Sequence, residues 1–271
     1  GQREPVVDDR PAQTIDVLPT IADVIGVKIP WIDLPGIGER ARFGASLAYL
    51  GDLDGDGAPE LAVGAPSIPE FAVSGELRIL SLASDGSAIR ELRVARGIGG
   101  FGGAIEAHDA FGSALSTIGD FDGNGVMDLA VGSPWHSHPQ YREGAVWLLL
   151  MNTNGTVASS IKINSGTPGL GTAVFRELGK SVCSLGDLDS DGTVDLAVGA
   201  ENHFGTGSVW ILRLNPDGSA KGFQELRQGI GGFGSTPYER LGASVSALGD
   251  LDGDGVPDLA AGANYPPDFY S

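Results

Sequence analysis

Short apolar and polar stretches follow one another in the same order four times along the chain. Each unit opens on a mixed apolar and small segment such as Ser46 to Leu50, crosses a polar loop, and enters an apolar run such as Leu61 to Val63. A short continuous apolar run bounded by turn residues is typical of a β-strand that is covered on both faces. The pattern therefore predicts an all-β chain built from repeated short strands.

The four units align with one another without gaps. They start at Phe43, Phe111, Leu178 and Leu241, and the first aspartates of their polar loops are 68, 67 and 63 residues apart. This period is somewhat longer than the ~50 residues of the longer propeller repeats, but it still suits one four-stranded sheet per unit. We therefore expect each unit to form one blade of a β-propeller.

Two further strands are predicted after the first two in each of the first three units. The fourth strand is exemplified by Ile89–Val94, and Asp-Gly or Asn-Gly pairs at 85–86, 154–155 and 217–218 separate it from the third. Such pairs favour hairpin turns because aspartate, asparagine and glycine readily adopt a positive φ. The predicted third strands are Glu76–Leu80, Ala145–Leu150 and Ser208–Leu214.

The polar loops between the first and second strands share one pattern of oxygen-bearing residues. Side-chain oxygens stand at positions 1, 3, 5 and 9, glycine stands at position 6, and position 7 offers a backbone carbonyl. An all-oxygen donor set of this size and charge favours Ca²⁺ over Mg²⁺, so about four calcium sites are expected. The predicted ligands are Asp52, Asp54, Asp56, Ala58 and Glu60; Asp120, Asp122, Asn124, Val126 and Asp128; Asp187, Asp189, Asp191, Thr193 and Asp195; and Asp250, Asp252, Asp254, Val256 and Asp258.

Composition and charge agree with metal binding by a turn-rich protein. The chain has 271 residues, of which 43 are glycine and 16 proline, and its hydrophobic content of 41% is too high for a disordered chain. The net charge of −18 disfavours nucleic acid and anionic lipid as partners. Fifteen of the 35 acidic residues lie at the ligand positions, where they would repel one another without a cation.

Two alternatives for the loops are an EF-hand and a plain acidic surface turn. An EF-hand needs a bidentate glutamate at position 12, which here is occupied by Val63, Val131, Val198 and Ala261. Four copies with the same spacing argue against ordinary surface turns. The single cysteine, Cys183, takes a first-strand position where the other units have alanine or serine, so we expect a packed, unreactive thiol.

The Phe-Gly pair, the aspartate-rich loop and the sequence LAVGAP together resemble the FG-GAP repeat of integrin α-chain β-propellers, which also occurs in secreted bacterial proteins. The resemblance implies a calcium-loaded propeller outside the cell or on its surface. Leu178-Gly179 and Leu241-Gly242 replace Phe-Gly in the last two units. Propellers of this family usually have seven blades, whereas the fourth unit here reaches only its second strand. We therefore expect an outside strand or chain to complete the ring.

The predicted propeller region spans 36–271, with units near 43–95, 111–163, 178–226 and 241–271, and residues 1–35 lie outside the repeat. Residues 14–31 weakly resemble a C-terminal segment of sulfatases, although the nucleophile motif of that family is absent. The alternative is a helix or a pair of strands packed against the propeller, with Val24–Ile29 as a possible ring-closing strand.

The loops after the second strands vary between units, and they would lie on the face opposite the acidic loops, together with the glycine-rich runs at 97–102 and 229–234. Variable loops on a repeated scaffold favour recognition of a protein or a glycan. There are two alternatives. His136 and His138, in the variable loop of the second unit, would bind a metal, or the variable loops would only cover the blade edges. The candidate contact residues are Trp135, His136, His138, Tyr141, His203 and Phe204.

Three functions are compatible with this pattern. The first is a non-enzymatic binding or adhesion module, secreted or on the cell surface. The second is the propeller part of a secreted polysaccharide-processing enzyme, although no nucleophile elbow, catalytic serine–histidine–aspartate grouping or phosphate loop is present. The third is a purely structural assembly segment. No apolar stretch approaches the ~18 residues of a membrane-spanning helix, so membrane insertion is not expected.

Overall fold

The computed structural model describes residues 42–66, 74–137, 142–171, 173, 175–201, 206–232 and 240–264, and the regular elements in these ranges are all β-strands. They form three four-stranded antiparallel sheets and one two-stranded sheet. Within the same residues no helix is long and apolar enough to cross a membrane. The all-β expectation is therefore confirmed, with one sheet for each sequence unit.

Each sheet is a blade whose strands neighbour one another in chain order. The first blade contains β1 (Ser46–Gly51), β2 (Glu60–Ala65), β3 (Glu76–Leu82) and β4 (Ala88–Val94). The second contains β5 (Ala114–Thr117), β6 (Leu129–Ser133), β7 (Ala145–Met151) and β8 (Val157–Ile163). The third contains β9 (Leu178–Gly186), β10 (Asp195–Ala200), β11 (Ser208–Leu214) and β12 (Ala220–Leu226). The fourth sheet contains β13 (Leu241–Gly249) and β14 (Asp258–Ala263).

The second strand of each complete blade is almost entirely buried. Every residue of β6 and β10 is buried, as the continuous apolar runs predict. The hairpins between third and fourth strands also lie where predicted. In the first of them Gly86 has φ 79°, and its N–H donates to the Ala83 carbonyl at 2.8 Å. The sequence therefore encodes both the strands and the turns that connect them.

Adjacent blades approach one another closely at pairs of glycines. A Cβ atom added to Gly64 would lie 2.1 Å from the carbonyl oxygen of Gly112 in the next blade. A Cβ atom added to Gly132 would lie 2.0 Å from the carbonyl oxygen of Gly179, and one added to Gly199 would lie 2.0 Å from that of Gly242. No side chain fits at such a distance, so the Phe-Gly and Gly-Ala motifs of the repeat are needed for blade contact.

The hydrophobic core lies between the faces of neighbouring blades. Between the first and second blades, Phe101 stacks on Phe111 at 4.8 Å and meets Trp147 edge-on at 5.3 Å. Between the second and third, Phe175 meets Trp210 edge-on at 4.7 Å. Burial of such aromatic pairs contributes both apolar area and favourable ring geometry. The connectors that carry Phe101 and Phe175 are thus part of the core.

This packing corrects the role expected for the glycine-rich run at 97–102. The run does not act as a variable recognition loop but is hydrogen-bonded to the next blade. The N–H of Val157, the first residue of β8, donates to the Gly99 carbonyl at 2.9 Å. The second connector does the same, because the N–H of Ala220 donates to the Pro168 carbonyl at 2.9 Å. The connectors therefore hold consecutive blades together.

Candidate metal centre

The four acidic loops lie between the first and second strands of their blades, as predicted. Each loop brings at least three carboxylates together, with one oxygen of each within 4.8 Å of the others. The groups are Asp52, Asp54 and Glu60; Asp120, Asp122 and Asp128; Asp187, Asp189 and Asp195; and Asp250, Asp252 and Asp254. Charges of like sign at this separation oppose folding unless a cation or hydrogen bonds compensate them.

Backbone N–H groups shape each loop around its first aspartate. In the second loop, Asp120 accepts hydrogen bonds from the N–H of Asn124 at 2.8 Å and of Gly125 at 2.8 Å. The position-5 side chain then turns the chain again, since the Val126 N–H donates to the Asn124 side-chain oxygen at 2.7 Å. Glycine at position 6 has φ between 86° and 88° in all four loops, a region that favours glycine.

The ninth position forms the floor of the loop. In the second loop Asp128 is fully buried and accepts the N–H of Phe121 at 2.8 Å through one oxygen and that of Met151 at 2.7 Å through the other. Asp195 accepts two such bonds in the third loop. Burial raises the pKa of both carboxyl groups above the ordinary value, and the backbone hydrogen bonds offset part of this effect. These two carboxylates also tie the loop to the third strand.

The first loop differs at the same position because it carries glutamate. Glu60 is fully buried, and its Oε2 accepts the N–H of Leu53 at 2.8 Å. Its Oε1 is buried without a hydrogen-bond partner among the described residues. The backbone donor that would correspond to Met151, the N–H of Leu82, instead donates to the Pro59 carbonyl at 2.9 Å. The first loop thus contains a carboxylate oxygen with no donor of its own.

Positive or amide groups approach three of the loops from within the same blade. Arg90 lies 3.2 Å from Asp54 in the first loop. In the third loop Lys221 lies 3.0 Å from Asp189 and also contacts Asp191. In the second loop the Asn124 amide donates to Asp122 at 3.2 Å and to the Met151 carbonyl at 3.0 Å. These groups reduce the repulsion within the loops.

The donor sets of the loops fit a hard divalent cation. The side-chain atoms that could bind a metal are all oxygens, and they converge within each loop. One of them, the buried Glu60 Oε1, has no hydrogen-bond partner among the described residues. Calcium would suit this set because it accepts several carboxylates in a loose geometry. The carbonyls of Ala58, Val126, Thr193 and Val256 remain predicted ligands.

The candidate recognition residues are only partly described, since His138, Tyr141, His203 and Phe204 lie outside the described residues. Trp135 is half-buried, and the Arg142 guanidinium lies 5.4 Å from the centre of its ring. His136 was expected in an exposed loop, and this is wrong: its residue is 3% exposed. A surface contact through the His136 ring is therefore not available in this conformation.

His136 belongs to a buried polar chain that the sequence did not indicate. Its Nδ1 lies 2.7 Å from Asp109 Oδ2, and its Nε2 lies 3.4 Å from the Lys162 ammonium. An ammonium group can only donate, so Nε2 accepts and Nδ1 carries the proton donated to Asp109. Asp109 lies in the connector between blades and Lys162 in β8, so the chain ties three segments together. No sequence pattern indicated this contact, because an aspartate 27 residues from a histidine matches no known motif spacing.

The blades, the paired glycines and the acidic loops define a β-propeller-type repeat protein, and comparison with known proteins identifies the repeat. A family model described as "FG-GAP repeat" matches residues 111–149, and one described as "FG-GAP-like repeat" matches 187–261. The chain therefore carries FG-GAP repeats of the kind found in integrin α chains.

Several integrin α chains are similar to this protein. Integrin alpha-5 of Xenopus laevis is 31% identical over 237 residues, covering 83% of this chain and 20% of the relative. Integrin alpha-PS2 of Drosophila melanogaster is 31% identical over 225 residues, covering 79% and 14%. Integrin alpha-4 of Xenopus laevis is 34% identical over 155 residues, covering 56% and 14%. The chain thus spans a fifth or less of the length of these relatives.

Proposed function

We propose that this protein is a calcium-binding extracellular recognition module whose acidic loops hold Ca²⁺ for structural reasons. The observation that carries the proposal is the convergence of at least three carboxylates in every one of the four loops. Bound calcium would neutralise these groups and join the first strand of a blade to its second. Catalysis is not part of the proposal.

Recognition is proposed for the end of the blades away from calcium. Antiparallel strands place the acidic loops at one end of each blade and the loops after the second strands at the other. In the second blade the latter loop carries Trp135 and Arg142, an aromatic and a cationic residue of the kinds enriched at binding interfaces. The similarity to integrin α chains supports an extracellular protein or glycan as partner and a secreted or cell-surface location.

Removal of calcium tests the structural role of the loops. A cation that binds only the folded state stabilises it by about 2.7 kcal/mol per site at a hundred times its Kd, which for a domain of this size shifts Tm by roughly 2–4 °C per kcal/mol. We expect the Tm measured by circular dichroism to fall on addition of EDTA and to return with excess Ca²⁺. An unchanged melt in EDTA, with no calcium uptake in calorimetry, contradicts the proposal.

A second experiment tests recognition. The calcium-loaded protein is screened against arrays of glycans and extracellular-matrix proteins, with turnover of the same glycans assayed in parallel. Binding without turnover, weakened by Trp135→Ala, supports the recognition module. Turnover of a glycan would replace it with a polysaccharide-processing enzyme, and no binding to either array would favour a structural segment.

A further inference from the structure

The four acidic loops share a sequence pattern but differ in which of their carboxylate oxygens already accept a hydrogen bond or contact a cation. This difference concerns the ninth position above all. The oxygens of Asp128 and Asp195 each accept a backbone N–H, whereas Glu60 Oε1 accepts none among the described residues. A buried carboxylate oxygen without a donor is unfavourable, so a cation that pairs with it removes a cost that the second and third loops do not have.

We propose that the first loop is the tightest calcium site of the three complete blades, and that Glu60 is the ligand that makes it so. This inference rests on the proposed calcium-binding function. The number of charges alone would not single out this loop, because the third and fourth loops also carry four carboxylates each. The ranking follows instead from the unpaired oxygen and from the groups that compete with calcium.

The competing groups are stronger in the other complete blades. In the third loop Lys221 contacts two ligand carboxylates, Asp189 and Asp191, so calcium must displace an internal cation there. In the second loop an amide replaces one carboxylate, and it already donates to Asp122. In the first loop Arg90 contacts only Asp54, and the Arg90 side chain is 47% exposed, so the pair is weak.

Calcium titration of single-loop variants of the full chain tests the ranking. Glu60→Gln removes the charge while retaining the size of the side chain, and Asp54→Asn changes an exposed ligand of the same loop. Each is expected to weaken the tightest site by at least about tenfold, because ligand charge sets affinity in calcium loops. The matched controls Asp122→Asn and Asp189→Asn change the same position in the second and third loops and should leave the tightest site unchanged.

Thermal melts distinguish a ligand from a merely structural residue. If Glu60 acts as a ligand, Glu60→Gln leaves the Tm of the calcium-free protein equal or higher, because a buried unpaired charge is gone, and it reduces the rise in Tm that calcium produces. If Glu60 has only a packing role, the Tm of the calcium-free protein falls and the rise with calcium is unaltered, which overturns the inference. Asp54→Asn supplies the same test of the loop at an exposed position if the buried variant does not fold.

Lys221→Met gives an independent arm. This substitution should increase the calcium affinity of the third loop by about tenfold, because it removes the cation that competes with calcium there. Lys221→Arg keeps the cation and should retain the wild-type affinity. Loss of the tightest site in Asp122→Asn or Asp189→Asn, with Asp54→Asn unaffected, overturns the ranking but leaves calcium binding intact. If the wild-type chain takes up no calcium, the proposed function itself fails.

Discussion

Cys183 shows at the residue scale how blade packing controls side-chain chemistry. It lies on β9 opposite Ala197, and it packs in a cluster that also contains Val245 and Ala247 of the fourth sheet. Burial raises the pKa of its thiol to about 11, although hydrogen bonding with backbone groups of Ala247 and Ala197 acts in the opposite direction. Reaction requires the thiolate, so the environment makes this cysteine inert at neutral pH.

We therefore expect Cys183 to react slowly with iodoacetamide. A thiol with a pKa of about 11 is ionised to roughly one part in a thousand at pH 8, against roughly a quarter for an ordinary thiol with pKa near 8.5. The native protein should be alkylated at least about a hundredfold more slowly than the same protein in guanidinium chloride, as measured by mass spectrometry. Equal rates would mean that the fourth sheet does not stay packed on the third blade.

At the element scale, the connectors and the glycine pairs determine how one blade joins the next. In the first connector Gly100 has φ 82°, and a Cβ added there would lie 2.2 Å from the backbone oxygen of Val157. Gly169 of the second connector stands even closer, at 1.6 Å, to the Ala220 oxygen. Both contacts involve backbone, which cannot move aside as a flexible side chain can.

Gly100→Ala is expected to destabilise the protein by about 1–3 kcal/mol, because it combines a strained φ with a steric clash at this contact between connector and blade. Gly102→Ala in the same connector is a matched control, since Gly102 has no positive φ and no atom within 4 Å of an added Cβ. The control should change stability by less than about 0.5 kcal/mol in urea unfolding with calcium present. Equal losses in the two variants would show that this contact does not hold the blades.

The elements themselves were predictable from the sequence, but their long-range contacts were not. The apolar run at Leu61–Val63 and the Asp85-Gly86 turn act locally, so they predict β2 and the first hairpin correctly. The burial of His136 depends on Asp109 in a distant connector, and no local pattern encodes such a contact. The unpaired oxygen of Glu60 is similar, because it depends on which backbone donor the third strand presents.

At the scale of the whole molecule, the three complete blades cover one another, whereas the fourth sheet is much more exposed. Position 7 of the acidic loop shows the contrast: Val126 in the second blade is 6% exposed and Val256 in the fourth is 54% exposed. β10 is buried throughout, while the equivalent β14 has no buried residue. Among the described residues β14 pairs only with β13, and no other described strand lies along its second edge.

An exposed apolar strand edge is a pairing site, and proteins normally cover one. We expect a strand from outside residues 42–264 to pair with β14, and we favour a partner chain over the segment at 1–35, whose sequence does not resemble the third and fourth strands of the other units.

Light scattering of the calcium-loaded protein, with and without residues 1–35, separates these two possibilities. A mass above that of the respective monomer in both forms, which is 27.8 kDa for the full chain, supports association through the edge. A monomer that becomes associated only after the deletion assigns the edge to the N-terminal segment, because removal of its cover exposes β14. A stable calcium-bound monomer in both forms would show that the β14 edge needs no further strand.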